Sequence, residues 1–211
     1  MRLDHVSYAA EHDGVHATAE RLAKLIGVDA VDGGVHPRFG TRNVILPLAN
    51  HRYVEVVEVL DHPASDKAPF GQAVRARSEA GGGWLGWCVE VEDIRTAEAR
   101  VGRTSADGYR HTPDGQELRW KQLGVRGLIS DPQLPFYIEW DPASRHPSTD
   151  ADTEVRITGR QIAGSVRRVR EWLGVAPDYE PSTLSFSFTC PHGTPGLLSV
   201  TFDTPEGPVV V

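Results

Sequence analysis

Residues 33–58 are the most informative stretch for predicting the fold of this chain, and their sequence is GGVHPRFGTRNVILPLANHRYVEVVE. A Gly-Gly pair and an Ala-Asn-His step are typical of turns, and the apolar runs beside them are typical of β-strands. Side chains alternate across a strand, so Val54 and Val56 share one face. Tyr53 and Glu55 share the opposite face. The valine face indicates packing, whereas a carboxylate inside a strand indicates a site.

The same order of elements is predicted twice along the chain. The first half contains a strand over residues 3–9, a helix over Val15–Ile26, and strands over 41–48 and 52–60. The second half contains a strand over 84–91, a helix that begins after Asp93, and strands over 117–123 and 134–140. Glu55 and Glu139 stand in the last strand of each half. Two or three strands are expected after each helix, so such a repeat predicts two similar βαβββ modules.

Module one is expected to cover about residues 1–60, and module two about residues 84–142. Each module alone leaves one sheet face uncovered, so the pair is expected to fold as one α+β unit around a shared cleft. Residues 142–152 are rich in turn formers and predict a linker. Residues 153–211 then predict a partial βαββ extension packed on the modules, with a strand over 154–158, a helix over 162–173, and strands over 184–189 and 197–203.

Composition limits the class of protein. The chain has 211 residues and a net charge of -7, which disfavours a nucleic-acid surface because phosphate binding needs clustered cations. No apolar run is long enough to span a membrane, and the first residues lack the pattern of a signal peptide, so a cytoplasmic location is expected. Cys88 and Cys190 show no CxxC spacing, and Cys190 to Gly193 is interpreted as a hairpin loop.

Five segments together resemble the glyoxalase-like branch of the vicinal oxygen chelate superfamily: LDHVSYAA, GGVHPRFGTRN, YVEVVEV, LGWCVEVEDI and LPFYIEWDP. The resemblance covers residues 1–142. It implies a glyoxalase-like domain in which paired βαβββ modules form a curved-sheet cup. It also implies one divalent metal (zinc, iron, manganese or nickel) on the concave surface, held by a first-strand His or Glu and a last-strand Glu from each module.

Carried over to this chain, the resemblance implies that His5, Glu55 and Glu139 are the metal ligands. Glu55 and Glu139 are also the expected catalytic residues. The fourth ligand position falls on Gly86 or Trp87, depending on the register of the strand, and neither residue binds a metal. One imidazole and two carboxylates would still hold a divalent metal and leave positions open for substrate oxygens.

Alternatives to this ligand set stay open. Glu90 replaces the missing fourth ligand if Val89 and Val91 face the helix. Without a metal, the two predicted carboxylates are solvated strand charges, and His5 is a hydrogen-bonded histidine. Apart from His5 and His36, most histidines of the chain are expected at the surface.

Six further residues are expected to contact a small organic ligand: His36, Thr41, Asn43, Tyr53, Trp120 and Tyr137. The first three lie in a loop held by Pro and Gly, where polar side chains are available for binding. For Thr41 and Asn43 the alternative is that they tie down the backbone of that loop. For the three aromatic residues the alternative is core packing.

Two functions from different classes follow. In the first, the chain is a metal-dependent lyase, isomerase or dioxygenase, with the metal acting as a Lewis acid or binding dioxygen. In the second, it is a metal-free protein that binds or sequesters a small molecule, as resistance proteins of this superfamily do. The missing fourth ligand favours the second. No nucleic-acid or membrane partner is expected, and a homodimer stays open.

Overall fold

The computed structural model describes residues 1–174, 185–189 and 194–211. The first half contains β1 (Arg2–Ala9), α1 (Val15–Ile26), β2 (Val31–His36), β3 (Thr41–Leu48) and β4 (Arg52–Val59). Two connecting helices follow, α2 (Pro63–Lys67) and α3 (Pro69–Glu79). The second half contains β5 (Gly83–Glu90), α4 (Ile94–Val101), β6 (Ala106–His111), β7 (Glu117–Leu123), α5 (Gly127–Ser130) and β8 (Phe136–Trp140). The rest contains β9 (Arg156–Ala163), α6 (Val166–Leu173), β10 (Ser185–Thr189), β11 (Gly196–Thr204) and β12 (Gly207–Val210).

The eight strands of the two halves form one closed barrel in the order β1-β4-β3-β2-β6-β7-β8-β5. Within each half the first and last strands pair in parallel, β1 with β4 and β5 with β8. The halves join at two seams: β1 pairs with β5 along most of its length, and β2 pairs with β6 at Val35 and His111. The predicted α+β fold of paired βαβββ modules around a curved sheet is confirmed.

The short seam between β2 and β6 depends on glycine. Gly34 has φ +94°, and a Cβ built there would lie 1.8 Å from the backbone oxygen of His111. Only a residue without a side chain lets the two strands approach so closely. Gly34 therefore permits the barrel to close at this seam.

Helices α1 and α4 cover the outside of the barrel, and both were predicted from the sequence. The apolar stripe of α1, which includes Val15, Leu22 and Ile26, is buried, and Gly27 ends the helix in the left-handed conformation. In α4 the side chain of Asp93 accepts a hydrogen bond from the backbone N–H of Arg95. The apolar core thus has an outer part beneath the helices and an inner part within the barrel.

The C-terminal strands form a second sheet in the order β10-β9-β11-β12. The helix predicted from Ile162 is wrong at its start, because Ile162 lies in β9, where it pairs with Phe188 and Leu197 of the neighbouring strands. The helix begins at Val166, after Ser165, whose side chain caps it. The start of the strand predicted over 184–189 and the loop predicted at Cys190 to Gly193 lie outside the described residues.

Indole groups link this second sheet and its helix to the barrel. Trp172 of α6 donates a hydrogen bond from Nε1 to the backbone oxygen of Pro135 at 2.8 Å, and Trp84 of β5 donates to the backbone oxygen of Val211 at 2.9 Å. Among the described residues, no helix is both long enough and apolar enough to cross a membrane.

Candidate functional site

A cavity lies inside the barrel, with about 400 Å³ of space free of protein atoms, including its opening to solvent. The two halves line it with different chemistry. The first half contributes mainly polar side chains, among them His5, His36, Asn43, Tyr53 and Glu55. The second half contributes mainly aromatic and apolar side chains, among them Trp120, Phe136, Ile138 and Trp140, together with Arg110 and Gln122.

Glu55 of β4 is at the centre of the polar half and is only 7% exposed. Its Oε2 accepts a hydrogen bond from Ser7 Oγ at 2.9 Å, and its Oε1 accepts one from Asn43 Nδ2 at 2.9 Å. The Nε2 atoms of His5 and His36 lie 3.9 Å from Oε2 and Oε1, respectively. Glu55 therefore stands between two imidazoles, with one hydrogen-bond donor already on each oxygen.

His36, at the end of β2, is buried against aromatic rings of Phe39, Phe70 and Trp120. Burial, with a smaller effect of the nearby cation of Arg110, lowers the pKa of His36 from 6.5 to about 4, against the opposing effect of Glu55. The ring is therefore neutral at pH 7. Its Nδ1 lies 2.9 Å from Thr41 Oγ1.

His5 of β1 is held from behind by a neighbouring carboxylate. Its Nδ1 lies 2.7 Å from Asp4 Oδ2, and its ring stacks on Tyr53 with 4.6 Å between the centroids. The pairing of β1 with β5 is irregular between Leu3 and His5, so the strictly alternating pattern expected of β1 is broken at Asp4. Asp4 is fully buried beside His5.

The second oxygen of Asp4 binds a residue from the segment that follows the barrel. His146 Nε2 lies 3.0 Å from Asp4 Oδ1, and Trp140 Nε1 donates to the same oxygen at 3.2 Å. Burial by itself raises the pKa of Asp4, but the hydrogen bonds and charges of His146 and His5 outweigh it and leave the pKa below its ordinary value. Asp4 is thus a carboxylate that bridges two imidazoles.

Three side chains at the cavity wall or directly behind it were not identified from sequence: Asp4, Arg110 and His146. The expectation that histidines such as His146 lie at the surface is wrong for this one, whose side chain is only 11% exposed. It comes from a turn-rich segment, where no periodicity marks a buried position. Arg110 lies with Gly108 at the buried alternate positions of β6, but neither residue is apolar, so hydrophobic alternation does not mark them.

Arg110 connects the halves at the wall of the cavity. Its Nη1 donates to the backbone oxygen of Gly33, and lies 3.4 Å from Asn43 Oδ1. Burial lowers the pKa of Arg110, although a guanidinium remains a cation at neutral pH. Arg110 is therefore the positive charge that accompanies Glu55 inside the barrel.

Glu139 is not brought to the cavity, which corrects the expectation that it faces the cup. Its Oε2 accepts a hydrogen bond from the backbone N–H of Ile94, at the start of α4, at 2.7 Å. Glu58 does the same for Val15 at the start of α1, at 3.0 Å. The counterpart of Glu139 in the first half is therefore Glu58 and not Glu55.

Two other predicted ligand contacts lie away from the cavity wall. Tyr137 is on the same outer face as Glu139, and its hydroxyl donates to the backbone oxygen of Trp172 at 2.7 Å. Thr41 is fully buried and contacts His36. This contact agrees in part with the alternative that Thr41 stabilises the loop. Trp120 lines the cavity, and its Nε1 donates to Gln122 Oε1 at 2.9 Å.

The position of Glu139 at the start of α4 leads to a prediction about stability. We expect Glu139→Gln to lower the free energy of unfolding by about 1 kcal/mol, because a carboxylate at a helix N-terminus stabilises the unpaired backbone N–H groups and the helix dipole. Chemical denaturation measures this change, and Glu58→Gln should show a similar loss. Loss of ligand binding in Glu139→Gln at unchanged stability would contradict the outer position.

The metal expected from the family resemblance requires ligands from both halves. Ser7 of β1 pairs with Glu55 of β4, and Cys88 of β5 pairs with Phe136 of β8. Phe136 therefore occupies the position in the second half that corresponds to Glu55 in the first. Gly86 precedes Cys88 by two residues, as His5 precedes Ser7. The second half thus offers glycine and phenylalanine at the two positions where ligands are required, and the expected four-ligand site does not fit this chain.

A ligand group of different composition is present. Within the part of the chain that the structure describes, ligand atoms of Asp4, His5 and Cys88 lie within 4.8 Å of one another. Both oxygens of Asp4 already accept hydrogen bonds. Burial raises the pKa of the Cys88 thiol well above its usual range, which opposes the thiolate that binds metals. This group is therefore poorly suited to a metal ion.

Known proteins resemble this chain in family and in fold. The model of the glyoxalase-like domain family matches residues 3–178. A hypothetical protein from Staphylococcus aureus has 14% sequence identity and a TM-score of 0.69, covering 97% of this chain and 92% of that chain. Methylmalonyl-CoA epimerase from Mycobacterium tuberculosis has 14% identity and a TM-score of 0.44, covering 67% of this chain and 88% of that chain.

A third solved structure is a variant of Streptomyces coelicolor methylmalonyl-CoA epimerase in complex with 2-nitronate-propionyl-CoA. It has 15% identity and a TM-score of 0.46, covering 68% of this chain and 99% of that chain. At these identities the likeness concerns the fold alone. No curated protein matches the chain. Since the family model spans most of the sequence and the paired modules close into one barrel, this chain belongs to the glyoxalase-like domain family.

Proposed function

We propose that this protein binds a small organic molecule inside the barrel, with a polar group of the ligand at Glu55 and an apolar body against the aromatic side. The observation that carries the proposal is the placement of Glu55, which is buried between two imidazoles on the wall of a cavity. A buried carboxylate costs free energy unless it is paired, and packing of the barrel does not require one. Binding a ligand supplies a reason for it.

The two sides of the cavity support a ligand of this kind. Small-molecule sites are concave, largely apolar and aromatic, and contain a few polar groups that orient the ligand. Here Trp120, Phe136 and Trp140 form the apolar side. The polar groups are concentrated on the first half, around Glu55 and His5. A ligand with polarity at one end matches that division.

A second candidate function is proton transfer on the bound molecule, as in a lyase or isomerase. Glu55 and His5 favour it, because a carboxylate and an imidazole 3.9 Å apart at one cavity wall suit general acid and base catalysis. This candidate does not require the metal of the family resemblance. A metal-dependent lyase, isomerase or dioxygenase would have to use Asp4, His5 and Cys88 in place of the expected ligands.

Glu55→Gln tests the proposed function. Single-ring compounds that carry a hydroxyl, amine, carbonyl or carboxylate group would be titrated against the protein, with binding followed by the fluorescence of Trp120 and Trp140 and by calorimetry. For a compound bound through Glu55 we expect affinity to fall about 10- to 100-fold in the variant, since a hydrogen bond to a charged group contributes roughly 1.5–3 kcal/mol.

Glu20→Gln is the matched control, because it makes the same chemical change on the exposed side of α1. Its affinities should equal those of the unchanged protein. If every compound that binds does so equally well to Glu55→Gln, then Glu55 does not contact the ligand and the proposed site is incorrect.

We also propose that residues 1–142 form the glyoxalase-like domain and that residues 153–211 form an extension packed on it. The barrel strands end at Trp140, and the second sheet begins at Arg156, which supports this division. The hydrogen bonds of Trp84 and Trp172 support close packing of the two parts. The family model continues to residue 178, so its match includes part of the extension.

A further inference from the structure

The hydrogen-bond partners behind the cavity wall determine what each polar atom offers to a ligand. An ionised carboxylate only accepts hydrogen bonds, and Asp4 faces Nδ1 of His5 at 2.7 Å. The proton of a neutral His5 ring must therefore be on Nδ1. Its Nε2, which points toward Glu55, is left with a lone pair and acts as an acceptor.

The same reasoning applies to His36 through Asn43. A guanidinium only donates, so the Asn43 atom near Arg110 is the amide oxygen, and the amide nitrogen faces Glu55 and His36. That nitrogen lies 3.4 Å from His36 Nε2, which must accept from it. The His36 proton is then on Nδ1, beside the hydroxyl of Thr41.

The polar side of the cavity therefore presents acceptors. Glu55 contributes two oxygens, and His5 contributes an Nε2 lone pair 3.9 Å from that carboxylate, whereas the Nε2 lone pair of His36 already accepts from Asn43. The donors of Ser7 and Asn43 are already directed at Glu55. A group that donates a hydrogen bond fits between His5 and Glu55, whereas a carboxylate placed there would meet Glu55 and the Nε2 lone pair of His5.

We infer that the site selects a ligand through a hydrogen-bond donor, a hydroxyl or an amine on an apolar or aromatic body, placed between His5 Nε2 and Glu55. The inference rests on the proposed function, since it specifies the ligand class of the same cavity. Asp4 is the positioning residue of this arrangement, because it acts on the ligand only through His5. His146 and Trp140 in turn hold Asp4.

The charges that face the site agree with this selection. Glu55 is the carboxylate on the cavity wall, and Asp4 is a second one directly behind His5. Arg110 is the cation, and its Nη1 is directed at the backbone oxygen of Gly33 and at Asn43. An anionic ligand head at Glu55 would meet two negative charges, and Arg110, which also lines the cavity, is joined to Glu55 through Asn43.

The first test is made on the free protein and needs no ligand. The ¹⁵N chemical shifts of the imidazole nitrogens at neutral pH show which nitrogen carries the proton. We expect His5 and His36 to be protonated on Nδ1 and unprotonated on Nε2. A protonated Nε2 on His5 in the unchanged protein would overturn the inference.

Asp4→Asn should reverse the result at His5. Trp140 Nε1 only donates, so it retains the amide oxygen of the new side chain, and the amide nitrogen then faces His5 Nδ1. We expect the His5 proton to move to Nε2. Asp29→Asn, on the exposed surface, is the matched control and should leave His5 unchanged. A folded Asp4→Asn in which His5 keeps its Nδ1 proton would show that Asp4 does not position it.

The second test uses four probes that share one ring: benzylamine, benzyl alcohol, benzoate and toluene. We expect benzylamine and benzyl alcohol to bind the unchanged protein at least about tenfold more tightly than benzoate. Comparing the affinities of benzylamine and benzyl alcohol then shows whether the site prefers a cationic or a neutral donor. In Asp4→Asn the difference should shrink, because His5 Nε2 then donates. Toluene measures the contribution of the ring.

The outcomes separate this inference from the proposed function. Benzoate that binds as tightly as benzylamine would overturn donor selection and leave small-molecule binding in place. A cavity that takes none of the four probes would count against the proposed function itself, and against donor selection with it. Both results are obtained on the unchanged protein, so neither depends on a variant that fails to fold.

Discussion

The free energy of unfolding is expected to fall by about 3 kcal/mol between pH 7 and pH 4 because of His36 alone. Burial holds the pKa of His36 at about 4 in the folded protein, against 6.5 as the ordinary value. Between these values the unfolded chain binds a proton that the folded chain does not. The contribution of His36 is therefore fully present above pH 6.5 and is lost as the pH falls toward 4.

Urea denaturation at a series of pH values measures this effect, and His36→Gln is the variant to compare. The variant lacks the titrating group. Its free energy of unfolding should therefore fall by about 3 kcal/mol less than that of the unchanged protein over the same pH range. His16→Gln, on the exposed side of α1, is the matched control. Equal pH dependence in the unchanged protein and in His36→Gln would contradict the buried, neutral state of this ring.

Trp172→Ala is expected to lower the free energy of unfolding by about 3–5 kcal/mol, the range typical of truncating a buried tryptophan. The ring is 8% exposed, stacks on Tyr137 with 5.9 Å between centroids, and donates to the backbone oxygen of Pro135. It thus joins α6 to the last strand of the barrel. The substitution leaves a cavity and an unpaired carbonyl at this contact.

Trp172→Phe separates packing from the hydrogen bond. It keeps a ring against Tyr137 and loses the N–H, so we expect most of the stability to remain, with a loss of about 1 kcal/mol for the hydrogen bond and a further term for the smaller ring. Thermal and urea denaturation compare the variants. A loss below 1 kcal/mol in Trp172→Ala would mean that the extension contributes little to the stability of the barrel.

Much of the fold could be predicted from local patterns. The stripe of α1 and its glycine end, the cap of α4, and the alternation in β4 are all properties of neighbouring residues, and the structure confirms them. The start of α6 was misplaced because Ile162 suits a helix stripe and a buried strand equally well. Pairing with β10 and β11 decides in favour of the strand.

The candidate site was predictable mainly on the first half, and Trp120 is the predicted residue of the second half that lines the cavity. His5, His36, Asn43 and Tyr53 line the cavity around Glu55, and all but His5 lie in the stretch first singled out. Glu139 was assigned to the cup because Glu55 also stands in a last strand. The alternation in β8 was correct, yet alternation alone does not say which face is inside. Phe136, Ile138 and Trp140 form the inner face.

The sequence by itself determined the two βαβββ modules and the carboxylate at Glu55, because hydrophobic periodicity, turn residues and strand alternation act between residues close in the chain. The tertiary structure decided which face of β8 closes the cavity, that Asp4 bridges His5 and His146, and that Arg110 reaches Gly33. These contacts join residues far apart in sequence, so they depend on how the barrel closes and not on any local pattern.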